Sequence, residues 1–258
     1  LLFLKEMEKR KMIKVKRISG ASIGSLSGFL YLIDKLELML DLYKPICKIL
    51  KTQHNLLLIA NLEEVLTEHI PDNICEIVNK KLYITYYCIP KRKKIIKSTY
   101  TNKKEIIDCI IRSCFFPYLI NGEFMYQNKY IDGMNPYIFK AVVGRRILYL
   151  DLFGMDKIQN IFNIKNEKTN IHRALSGILD IHNFFIKESN TNMCSYVDMW
   201  NINNNISYII KYIVEILLSY ICYFYLQIKI PKKYNFVQNI IMKINYEIFV
   251  SFIEYYCD

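Results

Sequence analysis

Glycine is scarce in this chain, eight residues in 258, and proline is scarcer at six. No stretch is rich in Pro, Gly or Ser, so no flexible linker marks a domain boundary, and no internal repeat organises the sequence. The four histidines, His54, His69, His172 and His182, do not stand at ligand spacing from a cysteine. The eight cysteines, Cys47, Cys75, Cys88, Cys109, Cys114, Cys194, Cys222 and Cys257, form no CxxC pair. Those two absences exclude the common zinc modules. Several of the cysteines lie inside apolar runs, where a reduced thiol behaves as a small hydrophobe, so a reducing, cytoplasmic compartment is expected. The formal charge is +11 and the pI about 9.1, yet no zinc finger, RNP aromatic motif or basic helix accompanies them. Nucleic acid is therefore not an expected partner. An anionic lipid surface suits a basic protein. The heavy use of lysine alongside Ile, Asn and Tyr reads equally as a genome-wide composition bias.

What is present is enough for a core. Hydrophobic residues make up 52% and charged residues 23%, the balance of a folded protein rather than a disordered one. Residues 1–11 read as the last turns of a helix, and "MIKVKRIS" (12–19) as a short strand with Ile13 and Val15 alternating against lysines. A buried helix is expected from Ile23, an amphipathic one over 62–70, and another after Thr101 or Asn102 that ends before Phe116-Pro117. "KLYITYYCIP" reads as a strand, and the basic cluster "PKRKKIIK" as the tip and return of its hairpin. "EFMYQNKYIDG" reads as two short strands around Gln127-Asn128, and "RRILYLDLFG" as a strand central in its sheet. From about Asp156 the chain is expected to be mostly helical. Residues 213–230 are the best candidate for a membrane segment. They read as a buried core helix, with an interfacial or spanning helix as alternatives. Strands alternating with helices predict an α/β fold with a mostly parallel central sheet.

The chemistry starts at "GASIG", where Gly20 and Gly24 flank Ser22. A serine nucleophile must stand exposed on a sharp turn from a strand into a helix. Residues two before and two after it approach too closely for large side chains. The N–H groups at the start of the following helix, Ile23 first, favour the negative charge that forms when the serine attacks a carbonyl. A serine hydroxyl also needs a base. A Ser–acid–His triad would recruit Asp132 or Asp151 with His172 or His182. A dyad would let a carboxylate take the proton directly.

The sequence resembles the patatin-like phospholipases. Their elbow is often "GASAG", and about 100 residues later they carry small and Cys/Ser residues, an aromatic, a proline and a hairpin ending in Asp-Gly. Here "RSCFFPYLINGEFMYQNKYIDGMNP" stands in that place, with Asp132-Gly133 as the chain's sole Asp-Gly. The resemblance covers roughly residues 1–155. It implies a three-layer α/β/α catalytic domain over 1–155 and a helical C-terminal region over 156–258. It also implies that Ser22 is the nucleophile and Asp132 the general base of a Ser–Asp dyad. The activity implied is hydrolysis of fatty acyl esters of phospholipid or other acyl lipid, with peripheral contact to a membrane and no metal or organic cofactor. Two departures stand out. Met134 replaces the family's second glycine after the aspartate, and no GGGxxG oxyanion loop occurs in the chain. That loop is expected to precede Leu1. A catalytically impaired relative that binds lipid or protein, and a triad esterase, remain the alternative readings.

Overall fold

The computed structural model describes residues 1–39, 41–42, 58–117, 123–151 and 171–227. Among these, two compact units separate. One holds Val15–Tyr137 with residues 211–227; the other holds Leu1–Lys14 with Ile138–Ile210. The expected domain boundary at 155/156 lies outside the described residues.

The larger unit is built on one strand, β2 (Leu82–Cys88), whose middle residues are all buried. Strand β1 (Ile18–Ala21) pairs with it in parallel, Ile18 opposite Leu82 and Ala21 opposite Thr85. Strand β3 (Lys93–Lys97) returns antiparallel along the other edge, Cys88 opposite Lys93. The basic tip between them forms as expected, with Arg92 at φ 46° and its guanidinium 5.0 Å from the Tyr223 ring centre. Strand β4 (Tyr130–Asp132) is antiparallel to β2, with Asp132 opposite Tyr86 and Tyr130 opposite Cys88.

The α/β class holds, with a mixed sheet: among the described residues one pairing is parallel and two are antiparallel. A short hairpin can only return antiparallel, and β4 enters from the far end of β2. The alternation of Ile13 and Val15 does show as alternating exposure, but they are not in a strand. The ladder begins at Ile18, whose N–H donates to Lys81 O at 2.7 Å, because β2 begins there.

Alternate side chains of β2 point to opposite faces. Toward one face lie α2 (Ile23–Leu32) and α5 (Lys103–Cys114). Gly28 of α2 sits so close to the sheet that a Cβ there would come 2.7 Å from Ile18 Cγ2. Helix α5 starts where the sequence caps it: Asn102 Oδ1 accepts from Glu105 N at 2.9 Å, and Glu105 Oε2 accepts from Thr101 N at 2.7 Å. Its buried side, Ile106, Ile107, Cys109, Ile110, Ile111 and Ser113, recurs at helical spacing. Helices α3 (Leu58–His69) and α4 (Ile74–Val78) complete the run before β2.

Against the other face lies the second half of α7 (Ile202–Gln227). Its Cys222 is fully buried with Ile89, Phe124, Met125 and Ile131, and Tyr87 packs on that cluster. The core reading of 213–230 does not hold over the described part. The buried residues of α7 are Glu215, Ser219 and Cys222, while Ile213, Leu217, Ile221 and Phe224 stand exposed. With 26 residues and a mean hydropathy of 1.7 over its best 18, α7 is long and apolar enough to cross a membrane by length and composition.

In the smaller unit, α1 (Leu2–Lys9) buries Leu4 and Met7, and α6 (Ile171–Lys187) buries Ile181 and Phe184. The strand expected to be central is instead β5 (Leu148–Leu150), half-buried and paired with β6 (Cys194–Tyr196) in a separate two-stranded sheet. Its apolar character serves a local aromatic cluster, Tyr149 lying edge-on to Trp200 and Tyr208.

Candidate active site

Strands β1 and β4 share one edge of β2 and meet end to end. Ala21, the last residue of β1, is opposite Thr85, and Asp132, the last of β4, is opposite the next residue, Tyr86. The residue after Ala21 is Ser22. Two segments far apart in the chain therefore finish side by side, both at their C-terminal ends.

Ser22 occupies φ 52°, ψ −137°, a backbone region that L residues avoid and that costs about 1–3 kcal/mol. Three hydrogen bonds at Ser22, and a fourth that carries one of them on to the sheet, over-determine it. Ser22 N–H donates to Ser113 Oγ at 3.0 Å, and Ser113 Oγ donates to Thr85 O at 2.7 Å. Ser22 O accepts from Ser25 N at 2.9 Å and from Ser25 Oγ at 2.7 Å. The turn needs glycine at one of its two expected positions. A Cβ on Gly20 would lie 2.3 Å from Gly24 O, whereas a Cβ on Gly24 would meet nothing within 4 Å. The clearance expected on both sides of the serine is thus one-sided: Gly20 yields to Gly24's backbone, and Gly24 faces open space. Ile23, exposed, takes the first position of α2, where a helix leaves its N–H groups without intrahelical partners.

Asp132 is buried at 2% exposure. Its Oδ1 accepts from Met134 N at 2.7 Å. Its own N–H donates to Phe115 O at 2.8 Å, which ties β4 to the end of α5. Burial is the largest influence on its proton and lifts the carboxyl from 3.8 to about 7, against the opposing pull of the nearby Ser22 side chain and of the Met134 N–H. Gly133 must be glycine, because a Cβ there would sit 2.4 Å from Thr85 O. Met134, in the place of a second glycine, adopts φ 49°.

Thr85 is a residue sequence reasoning missed. Its Oγ1 lies 3.3 Å from Gly20 O and 3.1 Å from Asn135 O, so one hydroxyl proton is shared between the serine strand and the aspartate turn. Its carbonyl anchors Ser113. The available signal was a threonine inside an otherwise aromatic and aliphatic strand. Ser19 adds a further tie, accepting from Tyr137 N at 2.8 Å.

Cys114 also borders the site, 3.9 Å from Ser25 Oγ. Burial, then the nearby Asp132 charge, pushes its thiol up to about 12, so it stays protonated and is no rival nucleophile. Of the triad candidates, His182 packs edge-on against Phe3 at 6.0 Å within the smaller unit, and the His172 side chain lies outside the described residues. Asp151 N donates to Met193 O at 2.8 Å in that same unit. Among the described residues no group of three or more His, Cys, Asp or Glu is arranged to hold a metal ion.

The arrangement is thus a strained, half-buried serine hydroxyl against a carboxyl whose proton affinity is raised toward neutrality. No solved structure matches the chain. The 1-acylglycerol-3-phosphate O-acyltransferase Pnpla3 of Mus musculus is 25% identical over 142 residues, which is 51% of this chain and 34% of that protein. The chain spans about a third of the length of that relative. The Patatin family model, described as patatin-like phospholipase, matches residues 1–136. Because that match takes in more than half of the chain and reaches from before the serine elbow to beyond the Asp-Gly turn, the chain belongs to the patatin-like phospholipase family.

Proposed function

We propose that the protein is a lipid acyl hydrolase of the phospholipase A type, with Ser22 as nucleophile and Asp132 as general base. Family membership supports acyl-lipid chemistry in general. The observation that carries the specific reading is the register of β2, which ends β1 and β4 on consecutive rungs and so brings Ser22, the residue after Ala21, beside the buried Asp132 carboxyl.

Ionised Asp132 takes the Ser22 hydroxyl proton as Oγ forms a bond to the ester carbonyl carbon. The carbonyl electron pair moves onto oxygen, and the Ile23 N–H at the head of α2 is placed to donate to it. Collapse breaks the bond to the alcohol oxygen. Asp132 passes its proton to that leaving alcohol, and an acyl-Ser22 remains. Water then attacks, giving its proton to Asp132, and the fatty acid departs as Ser22 regains a proton. A base titrating near 7 suits this work, being partly ionised at neutral pH and basic enough to accept a proton. An alcohol acceptor in place of water would give acyl transfer, the activity in the printed name of the mouse relative.

The outward apolar face of α7 supports peripheral contact with a membrane, the surface that presents such substrates. That all six described cysteines are free supports a reducing, cytoplasmic setting.

Fluorophosphonate labelling of full-length protein tests the nucleophile. Labelling lost in Ser22→Ala and fatty acid release from phospholipid vesicles lost in Asp132→Asn are the expected results. Labelling that persists in Ser22→Ala overturns the assignment. Product analysis with and without a lysophospholipid acceptor separates hydrolysis from transfer.

A further inference from the structure

Helix α7 is built the wrong way round for a helix lying on a sheet. Its apolar residues face out, and its most deeply buried side chain in the larger unit, apart from Cys222, is a carboxylate, Glu215, at 1% exposure. Glu215 Oε2 accepts from Lys94 Nζ at 2.9 Å and from Asn135 Nδ2 at 2.8 Å. Its Oε1 is buried without a hydrogen-bond partner among the described residues. A buried ion pair of this kind contributes little net stability, since desolvation offsets the attraction. Its geometry accounts for it better than its energy does.

Asn135 is the third residue after Asp132. It is 2% exposed, and its carbonyl accepts from Thr85 Oγ1. The turn that carries the base is therefore gripped from two sides. β2 holds its backbone, and Glu215 of α7 holds the Asn135 side chain. Lys94, on β3, pairs with Glu215 at 2.9 Å and balances its charge.

We infer that Glu215 is a positioning residue for the general base: by holding Asn135 it fixes the Asp132 turn, and its charge, balanced by Lys94, sets the electrostatic surroundings in which Asp132 exchanges its proton. The groups that face Asp132 are Ser22 from the elbow, the neutral Cys114 thiol from α5, Lys94 from β3 and Glu215 from α7. Of these, only Lys94 and Glu215 bring charge. Glu215 acts to raise the aspartate's proton affinity and Lys94 to lower it, both behind the larger effect of burial. The inference rests on Asp132 being the base.

The test pairs Glu215→Gln with Glu215→Leu and reads the pH profile of kcat on phospholipid vesicles. Glu215→Gln keeps an acceptor for Asn135 and removes a charge. Its turnover should survive, and its acid limb should move down by roughly half a unit to one unit. Glu215→Leu removes the grip as well. Its kcat should fall roughly ten-fold or more at little-changed KM, because the base is no longer held in place. If Glu215→Leu does not fold, the Glu215→Gln profile decides alone. A wild-type acid limb in Glu215→Gln overturns the inference, as does wild-type kcat in a folded Glu215→Leu. Asp132→Asn separates the two levels. Should that variant retain activity, the base assignment falls and this inference with it. Should it be inactive while the Glu215→Gln limb stays put, this inference alone fails.

Discussion

Ser113 stands behind Ser22 and joins it to the sheet: the Ser22 N–H donates to Ser113 Oγ at 3.0 Å, and Ser113 donates on to Thr85 O at 2.7 Å. The strained serine is thus anchored through a side chain of α5 rather than by its own strand. Ser113→Ala should leave a part-buried N–H without an acceptor and lower stability by about 1–3 kcal/mol. Fluorophosphonate labelling should slow as the elbow relaxes. Urea melts and labelling rates that both match wild type would contradict the anchoring role.

The Asp132 carboxyl titrates near 7 in the native protein against an ordinary 3.8. The native state therefore holds that proton more tightly than the unfolded chain does. The resulting stabilisation is complete below the ordinary carboxylate value and is lost as pH rises through about 7. Asp132→Asn has no such loss, so its stability advantage over wild type should grow between pH 5 and pH 8. Urea midpoints at several pH values measure it, and a pH-independent difference would show that the carboxyl is not perturbed.

The same titration should govern reactivity. Labelling of Ser22 in the wild type should rise with pH through about 7 along a single-proton curve. A flat profile between pH 5 and 8 would mean that Asp132 does not take the serine's proton.

The two elbow glycines should behave unequally. Gly20→Ala places a Cβ 2.3 Å from Gly24 O, and Gly133→Ala places one 2.4 Å from Thr85 O. Both contacts are with backbone that cannot step aside, so both variants should yield little folded protein. Gly24→Ala meets nothing within 4 Å and should fold, its melting temperature equal to wild type or higher because alanine favours the helix. Soluble yield and thermal melts compare the three.

On α7, replacing Ile213, Leu217 and Ile221 together by serine should weaken co-flotation with phospholipid vesicles roughly ten-fold while leaving the fold intact, since these side chains are exposed already. Undiminished flotation would remove α7 as the lipid contact.

Local rules made much of this legible. The glycines around Ser22, the Asn102 cap, the basic hairpin tip and the Gln127-Asn128 turn, both residues at positive φ, are each written in a few adjacent residues. The starting point of β1 was not legible, because a strand begins where its partner begins and Leu82 is far away in sequence. Nor was the role of Leu148–Leu150, whose apolar run looked central but closes a local aromatic cluster. The roles of Thr85, Ser113 and Glu215 were not legible for one reason. Each works through a contact with a distant segment, and a single hydroxyl or carboxylate in an apolar run carries no spacing to read. The roles of Ser22 and Asp132 were proposed from motif and resemblance. The register of β2 supplies the reason they are neighbours.

That register makes β2 the gauge of the site. Ala21 and Asp132 answer to Thr85 and Tyr86, two consecutive rungs about 3.3 Å apart along the strand. Neither reacting residue measures the distance to the other; a single peptide step in a third segment does it for both. The loops between Ser22 and β2, and between β2 and β4, can lengthen or shorten without altering the spacing, so long as α2 and α5 keep Ser25 and Ser113 on the elbow. One residue inserted between Thr85 and Tyr86 would widen it and turn the following side chains to the opposite face. Drift in length should therefore be tolerated in the loops of this unit but not inside the seven residues of β2, which themselves carry no reacting group.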